Sequence, residues 1–204
     1  LAAKNIPVEM NDPNQWSSRY VHDTLFVVDY ALISAVMFTS GIKDIILQCQ
    51  FNKPVETGDF ADLAKMSAAR EIVEYIRPPR HPARVHLETR SGIEHFSTDL
   101  TTAKFQLART TLLQMMMAPS MIHLVSYCEA NHAATPEDII ESSQIVRRAI
   151  RLFNENKPDL QKYLKDEVVI NRRKFLLEEA HYVVNFVLNQ FLNIFGDAPH
   201  LHVS

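Results

Sequence analysis

A chain of 204 residues with 47% hydrophobic residues has the length and the apolar content for one globular domain. Four glycines against ten prolines argue against a sandwich or barrel, and the common Gly-rich nucleotide loops, GxGxxG and GxxxxGK, do not occur. The formal net charge of −3, with basic residues scattered along the chain, argues against a nucleic-acid partner.

Cysteine usage favours a reducing intracellular compartment. Cys49 and Cys128 are far apart, and neither belongs to a CxxC motif. Both lie in apolar surroundings, which is typical of small core residues, although a disulfide between them stays open at this point.

The first forty residues predict an extended arm and a long helix. Residues 1–10 show no periodicity, and the segment Asn11-Asp12-Pro13 is a helix-start pattern. The helical pattern continues to about Thr39. Its apolar part, 24–42 (Thr24 to Ile42), has nearly the length of a membrane span but contains Asp29, so a buried core helix is favoured and membrane association stays open.

The middle of the chain changes character twice. Residues 42–51 are ambiguous between a short helix and a strand, and residues 59–76 predict a helix that ends before two prolines. Residues 83–98 then predict a β-hairpin around Ser91-Gly92. That hairpin would group four titratable side chains, for which a cross-strand pair is favoured over a metal site: His86, Glu88, Glu94 and His95.

Cap signals place the later helices. Thr98 and Asp99 predict the start of a helix that ends near Pro119, and residues 120–129 resume a helical pattern. Thr135 followed by Pro136, with Asp138 at the third helical position, is the clearest helix start in the chain. A loop is predicted at 154–157.

The stretch 165–195 (Lys165 to Phe195) predicts the helix around which the chain is organised. It contains neither Gly nor Pro, and its apolar side chains recur at helical spacing over a wide stripe. Such a helix needs neighbours on several sides. The predicted fold is therefore mostly α, a single multi-helix bundle over 1–204 around this helix, with the 83–98 hairpin appended and a loose tail at 197–204.

Two Glu-x-x-His motifs are the pattern most typical of chemistry. Glu129 and His132 form the first copy, and Glu178 and His181 form the second. On a helix, positions i and i+3 are neighbours, and di-iron carboxylate bundles use this device twice, with further glutamates on other helices. The motifs predict a di-iron or di-manganese site, but a solvated glutamate beside a core histidine is the favoured interpretation, and no cofactor is favoured.

Two further patterns suit contacts with other molecules. Methionine side chains adapt to irregular partners as well as to core gaps, and amides on an apolar helix often set the register with a neighbour. The predicted interface residues are Met115, Met116 and Met117, together with Asn185, Asn189 and Asn193.

The leading functional hypothesis is a non-enzymatic interaction or scaffold subunit of a larger assembly, with other protein subunits as partners. The alternatives are a di-metal carboxylate oxidase or oxygenase, and a helical bundle that binds an apolar small molecule.

Overall fold

The structure is a computed structural model, and it describes residues 4–10, 21–52 and 58–190. In the described residues the chain forms the strands β1 (Val8–Met10), β2 (Asp44–Phe51), β3 (Arg84–Ser91) and β4 (Met121–His123). The helices are α1 (Asp23–Thr39), α2 (Asp59–Ile76), α3 (Leu100–Met116), α4 (Pro136–Gln161) and α5 (Glu167–Gln190). Short 3-10 helices cover Ile93–His95 and Lys162–Lys165.

The four strands form one parallel sheet in the order β1-β2-β3-β4. Neighbouring parallel strands need a crossover connection, and α1, α2 and α3 supply the three crossovers in turn. The prediction of a mostly α bundle is therefore wrong, and the chain is an α/β protein. The ambiguous segment 42–51 is the strand β2.

The hairpin predicted at 83–98 does not form. β3 is a strand, but it lies between β2 and β4, and the chain after it turns into a 3-10 helix. The Gly92 N–H donates to the carbonyl of Phe51 at 2.8 Å, so the end of β3 is tied to the end of β2 instead of to a returning strand. The Ser91-Gly92 pair is thus a strand end and not a hairpin turn.

The structure confirms the predicted helix caps at Asp99 and Thr135. Asp99 accepts a hydrogen bond from the Thr102 N–H, and Thr135 and Asp138 form a capping box at the start of α4. Helix α4 continues through the predicted loop at 154–157. Residues 120–129 are the strand β4 and turns, so the helix predicted there is wrong.

Contacts divide the chain into two compact units. Unit 1 takes its described residues from Leu1–Gln48, Lys65–His86 and Asn171–Ser204, and its buried residues include Val27, Tyr30, Ile72, Leu176 and Ala180. Unit 2 takes its described residues from Cys49–Ala64 and Leu87–Ile170. Its core cluster joins Phe96, Ala103, Leu107, Val125, Tyr127, Cys128 and Val146. Strands β2 and β3 contribute residues to both units.

Part of the sequence prediction lies outside the described residues. This applies to the helix start at Pro13, to the tail at 197–204, to Asn193, and to the last five residues of the stretch 165–195. The described part of that stretch is the helix α5.

Candidate functional site at the carboxyl ends of the strands

Strand β3 has one charged face. Successive side chains of a strand point to opposite faces of its sheet, so residues two apart share a face. The charged face carries Arg84, His86, Glu88 and Arg90, and the opposite face carries Val85, Leu87, Thr89 and Ser91.

In unit 1, the amino-terminal end of this face is an ion-pair cluster. Arg84 donates from Nε and from a terminal nitrogen to the two carboxylate oxygens of Asp44, at 2.7 and 2.8 Å, and His86 Nε2 lies 2.9 Å from the same carboxylate. The Arg84 guanidinium, followed by His86, lowers the pKa of Asp44 to about 2. Because each charge has a partner, this end of the strands is suited to holding β2 and β3 in register.

In unit 2, the carboxyl-terminal end of the same face carries a carboxylate–imidazole pair and an arginine. Glu88 is nearly buried on β3, and its Oε1 lies 3.4 Å from Nδ1 of His123, at the end of β4. The His123 side chain is 45% exposed, so the imidazole connects the buried carboxylate to the surface. Arg90 is the register partner of His123, and its buried Nε has no hydrogen-bond partner among the described residues.

A network of buried hydrogen bonds supports the ends of β2 and β3 from the neighbouring helices. The Asn52 N–H donates to Asp62 at 2.5 Å, and Thr110 Oγ1 donates to the Asn52 side chain at 2.8 Å. Gln114 Nε2 of α3 donates to Ser91 Oγ at 3.0 Å. These buried bonds fix the ends of β2 and β3 against α3, and a fixed scaffold is what a binding site at a strand end needs.

Ligands of open parallel α/β sheets bind beyond the carboxyl ends of the strands. An arginine fork there can hold a carboxylate with two parallel hydrogen bonds, and a carboxylate beside an imidazole orients it for proton transfer. Arg90, Glu88 and His123 therefore combine an anion-binding group with an acid–base pair at adjacent strand ends.

The first Glu-x-x-His motif lies in the loop between β4 and α4, in unit 2. Glu129 Oε1 accepts from the Ser126 N–H at 2.6 Å and so stabilises a turn. Among the described residues, the one group of His, Cys and carboxylate side chains close enough to share a metal ion contains His132 but not Glu129. The other members of that group are Cys128 and Asp138.

The second motif lies on α5, in unit 1. Glu178 is exposed and lies 3.7 Å from Lys174, one helical turn earlier. The His181 ring packs against Tyr75, with 4.2 Å between the ring centroids, and burial lowers the pKa of His181. The two side chains thus have different surroundings, and the di-metal hypothesis stays a prediction.

The predicted interface residues are distributed between the core and the surface. Met116 and Met117 are buried, Met115 and Asn185 are half-buried, and the side chain of Asn189 lies outside the described set. Met116 lines an apolar cavity of about 280 Å³ in unit 2, with Phe60, Leu63, Leu112, Leu113, Leu160 and Tyr163. That volume is at the lower limit for small-molecule pockets, and the apolar-ligand hypothesis stays a prediction.

Helix α5 has an exposed aromatic stripe in unit 1. Phe175, Tyr182 and Phe186 follow one another by seven and four residues and therefore lie on one helix face. Their exposed fractions are 44%, 75% and 57%, although the helix buries Leu176 and Ala180 on another face. Contiguous exposed aromatic side chains are typical of protein contact surfaces.

Comparison with known proteins found no matching protein-family model and no matching curated protein. In the part of the chain that the structure describes, no helix combines the length and the apolar character that crossing a membrane requires.

The sequence contained a signal for the strand-end site that the hairpin interpretation obscured. The sequence prediction includes His86 and Glu88, but as members of a hairpin, and it includes neither Arg90 nor His123. The strict alternation of charged residues from Arg84 to Arg90 is the pattern that could have identified this face. His123 becomes a neighbour only through the pairing of β3 with β4.

Proposed function

We propose that this protein binds a small carboxylate-bearing molecule at the carboxyl-terminal ends of β3 and β4, and that Glu88 and His123 move a proton to or from it. The observation that carries the proposal is the unpartnered, buried Nε of Arg90 beside the Glu88–His123 pair. A buried guanidinium N–H without an acceptor is costly, and a bound carboxylate would supply the acceptor.

The roles follow from burial and distance. Arg90 would hold the carboxylate, and Glu88 would orient the imidazole by accepting from Nδ1 of His123, which leaves Nε2 to exchange a proton with the ligand. The support formed by Asn52, Ser91 and Gln114 would keep the strand ends fixed while the ligand binds.

The test is ligand-observed NMR with a panel of small mono- and dicarboxylates, comparing the wild type with Arg90→Gln. Losing a charge-assisted hydrogen bond removes about 1.5–3 kcal/mol, so we expect binding to weaken by roughly 10- to 100-fold. Arg84→Gln is the matched control, because Arg84 lies on the same strand and face but is engaged by Asp44. Equal binding by Arg90→Gln, or a wild type that binds no carboxylate in the panel, would contradict the proposal.

Proton transfer has a separate readout. For a carboxylate that binds, we expect the wild type in D₂O to introduce deuterium into a carbon position of the ligand, and His123→Gln to bind it without introducing deuterium. Exchange that is undiminished in His123→Gln would contradict the acid–base role and leave the binding proposal standing.

A second candidate function, an interaction subunit, is favoured by the aromatic stripe of α5. We propose that a second copy of the chain covers this stripe through its own α5, in an antiparallel, two-fold arrangement. The surface charges support this choice, because exposed Lys174 and exposed Glu178 would face each other reciprocally when two antiparallel helices cross near Phe175.

Sedimentation and light scattering over a range of protein concentrations test the second proposal. We expect the wild type to dimerise and Tyr182→Lys to remain monomeric, because a buried lysine would lose its hydration at the contact. Phe105→Lys is the control, since Phe105 is a similarly exposed aromatic side chain on α3. A wild type that stays monomeric at high concentration would exclude the self-association.

A further inference from the structure

The loop between β4 and α4 brings three metal-ligating side chains together. One helical turn follows Cys128, whose carbonyl accepts from the Asn131 and His132 N–H groups at 2.8 and 3.0 Å. Residues four apart in such a turn share a face, so Cys128 and His132 point the same way. The ligand atoms of Cys128, His132 and Asp138 all lie within 4.8 Å of one another.

Asp138 is held in place by the start of α4. Its Oδ2 accepts from the Thr135 N–H at 3.0 Å and from Thr135 Oγ1 at 2.8 Å, and His132 Nε2 lies 3.4 Å away. Its Oδ1 accepts from the Tyr127 hydroxyl at 3.0 Å. A carboxylate oxygen has two lone pairs, so Oδ1 can accept that bond and still ligate a cation.

We propose that Cys128, His132 and Asp138 form a binding site for a zinc ion, with water as the fourth ligand. Zinc takes thiolate, imidazole and carboxylate ligands in tetrahedral geometry, which sets roughly 3.3–3.7 Å between ligand atoms. The ligand atoms of the three side chains all lie within 4.8 Å of one another, so they need to approach only a little to reach that separation. Metal binding converts the Cys128 thiol to a thiolate and releases its proton to solvent.

The burial of the three ligands distinguishes this site from a thiol nucleophile assisted by histidine. A nucleophilic sulfur must reach its substrate, but Cys128 is fully buried. A metal ion needs only one open side, and His132, which is nearly half exposed, provides it. The Tyr127 hydroxyl and the Thr135 cap hold the carboxylate in the way that outer-shell hydrogen bonds orient metal ligands.

Cobalt(II) titration of chelator-treated protein tests the site without any substrate. Cobalt occupies zinc sites, and a thiolate ligand gives it a near-ultraviolet charge-transfer band. We expect one equivalent to produce the band, and zinc to abolish it by displacement. The chain has two cysteines, so Cys128→Ser should lose the band and Cys49→Ser should keep it.

The variant His132→Gln separates loss of the metal site from unfolding. His132 is exposed, so its replacement leaves the Cys128 thiol and the core intact. We expect this variant to bind cobalt at least about tenfold more weakly with an unchanged circular dichroism spectrum. A wild type without the band, a band that survives Cys128→Ser, or undiminished affinity in His132→Gln would each overturn the site. None of these outcomes depends on whether a carboxylate binds at Arg90.

Discussion

At the scale of single residues, Gly92 shows how closely the ends of β2 and β3 approach each other. A Cβ atom at Gly92 would lie 3.1 Å from the carbonyl oxygen of Asn52 and 3.2 Å from that of Phe51, and backbone atoms cannot rotate away as a side chain can. We expect Gly92→Ala to lower the free energy of unfolding by about 1–3 kcal/mol, as overpacking does. Urea denaturation measures the change.

Gly58→Ala is the matched control for this substitution. Nothing lies within 4 Å of a Cβ at Gly58, whose carbonyl accepts the first helical hydrogen bond of α2 from the Asp62 N–H. At such a helix start alanine is less favourable than glycine, so we expect Gly58→Ala to lose only about 0.5 kcal/mol, less than Gly92→Ala. If the two variants lost stability equally, the close approach at Gly92 would not be the cause. The same contact fixes the strand end that carries Arg90, so a weakened carboxylate affinity should accompany the loss of stability.

At the scale of elements, the helix starts show what a sequence specifies locally. Thr135 accepts from the Asp138 N–H, and Asp138 accepts in return from the Thr135 N–H. We expect Thr135→Ala to lower the free energy of unfolding by about 1 kcal/mol, because the first turn of α4 loses its capping hydrogen bond. Thr98→Ala should be nearly neutral, since Asp99 is the residue that caps α3. Similar losses in both variants, measured by urea denaturation, would contradict this assignment.

The strand partners show what the sequence does not specify locally. A capping box joins residues three apart, so Thr135 and Asp138 could be identified in a linear reading. β3 was identified as a strand by its composition, but β2 lies some forty residues earlier on the chain, with α2 between them. Neither the residue pattern of β3 nor the Ser-Gly pair after it indicates that β2 is the neighbouring strand. The local pattern alone therefore predicts a hairpin. The predicted metal ligand His132 has the same local origin, because the Glu-x-x-His motif pairs it with Glu129, three residues earlier, whereas the zinc site that we propose adds Cys128 and Asp138.

At the scale of the whole molecule, two partly buried histidines and the ion-paired Asp44 should make stability fall in two stages as the pH falls. Burial lowers the pKa of both His95 and His181, so the unfolded chain binds their protons more readily. Their contribution is present above the unfolded pKa, about 6.5, and is lost as the pH falls below it. Arg84 and His86 lower the pKa of Asp44 to about 2, so its contribution is present above about 3.8 and is lost as the pH falls toward 2.

Two variants separate these stages in urea unfolding at pH 8, 7, 6, 5, 4 and 3. The double variant His95→Gln/His181→Gln removes both partly buried imidazoles, so we expect its free energy of unfolding to change less between pH 7 and 5 than that of the wild type, which declines. Asp44→Asn should decline like the wild type in that range and lose less than the wild type between pH 4 and 3, because the amide does not titrate. An unchanged decline between pH 7 and 5 in the double variant would show that other groups carry the first stage. The two variants thus separate the contribution of the two histidines from that of Asp44, because each affects a pH range in which the other is silent.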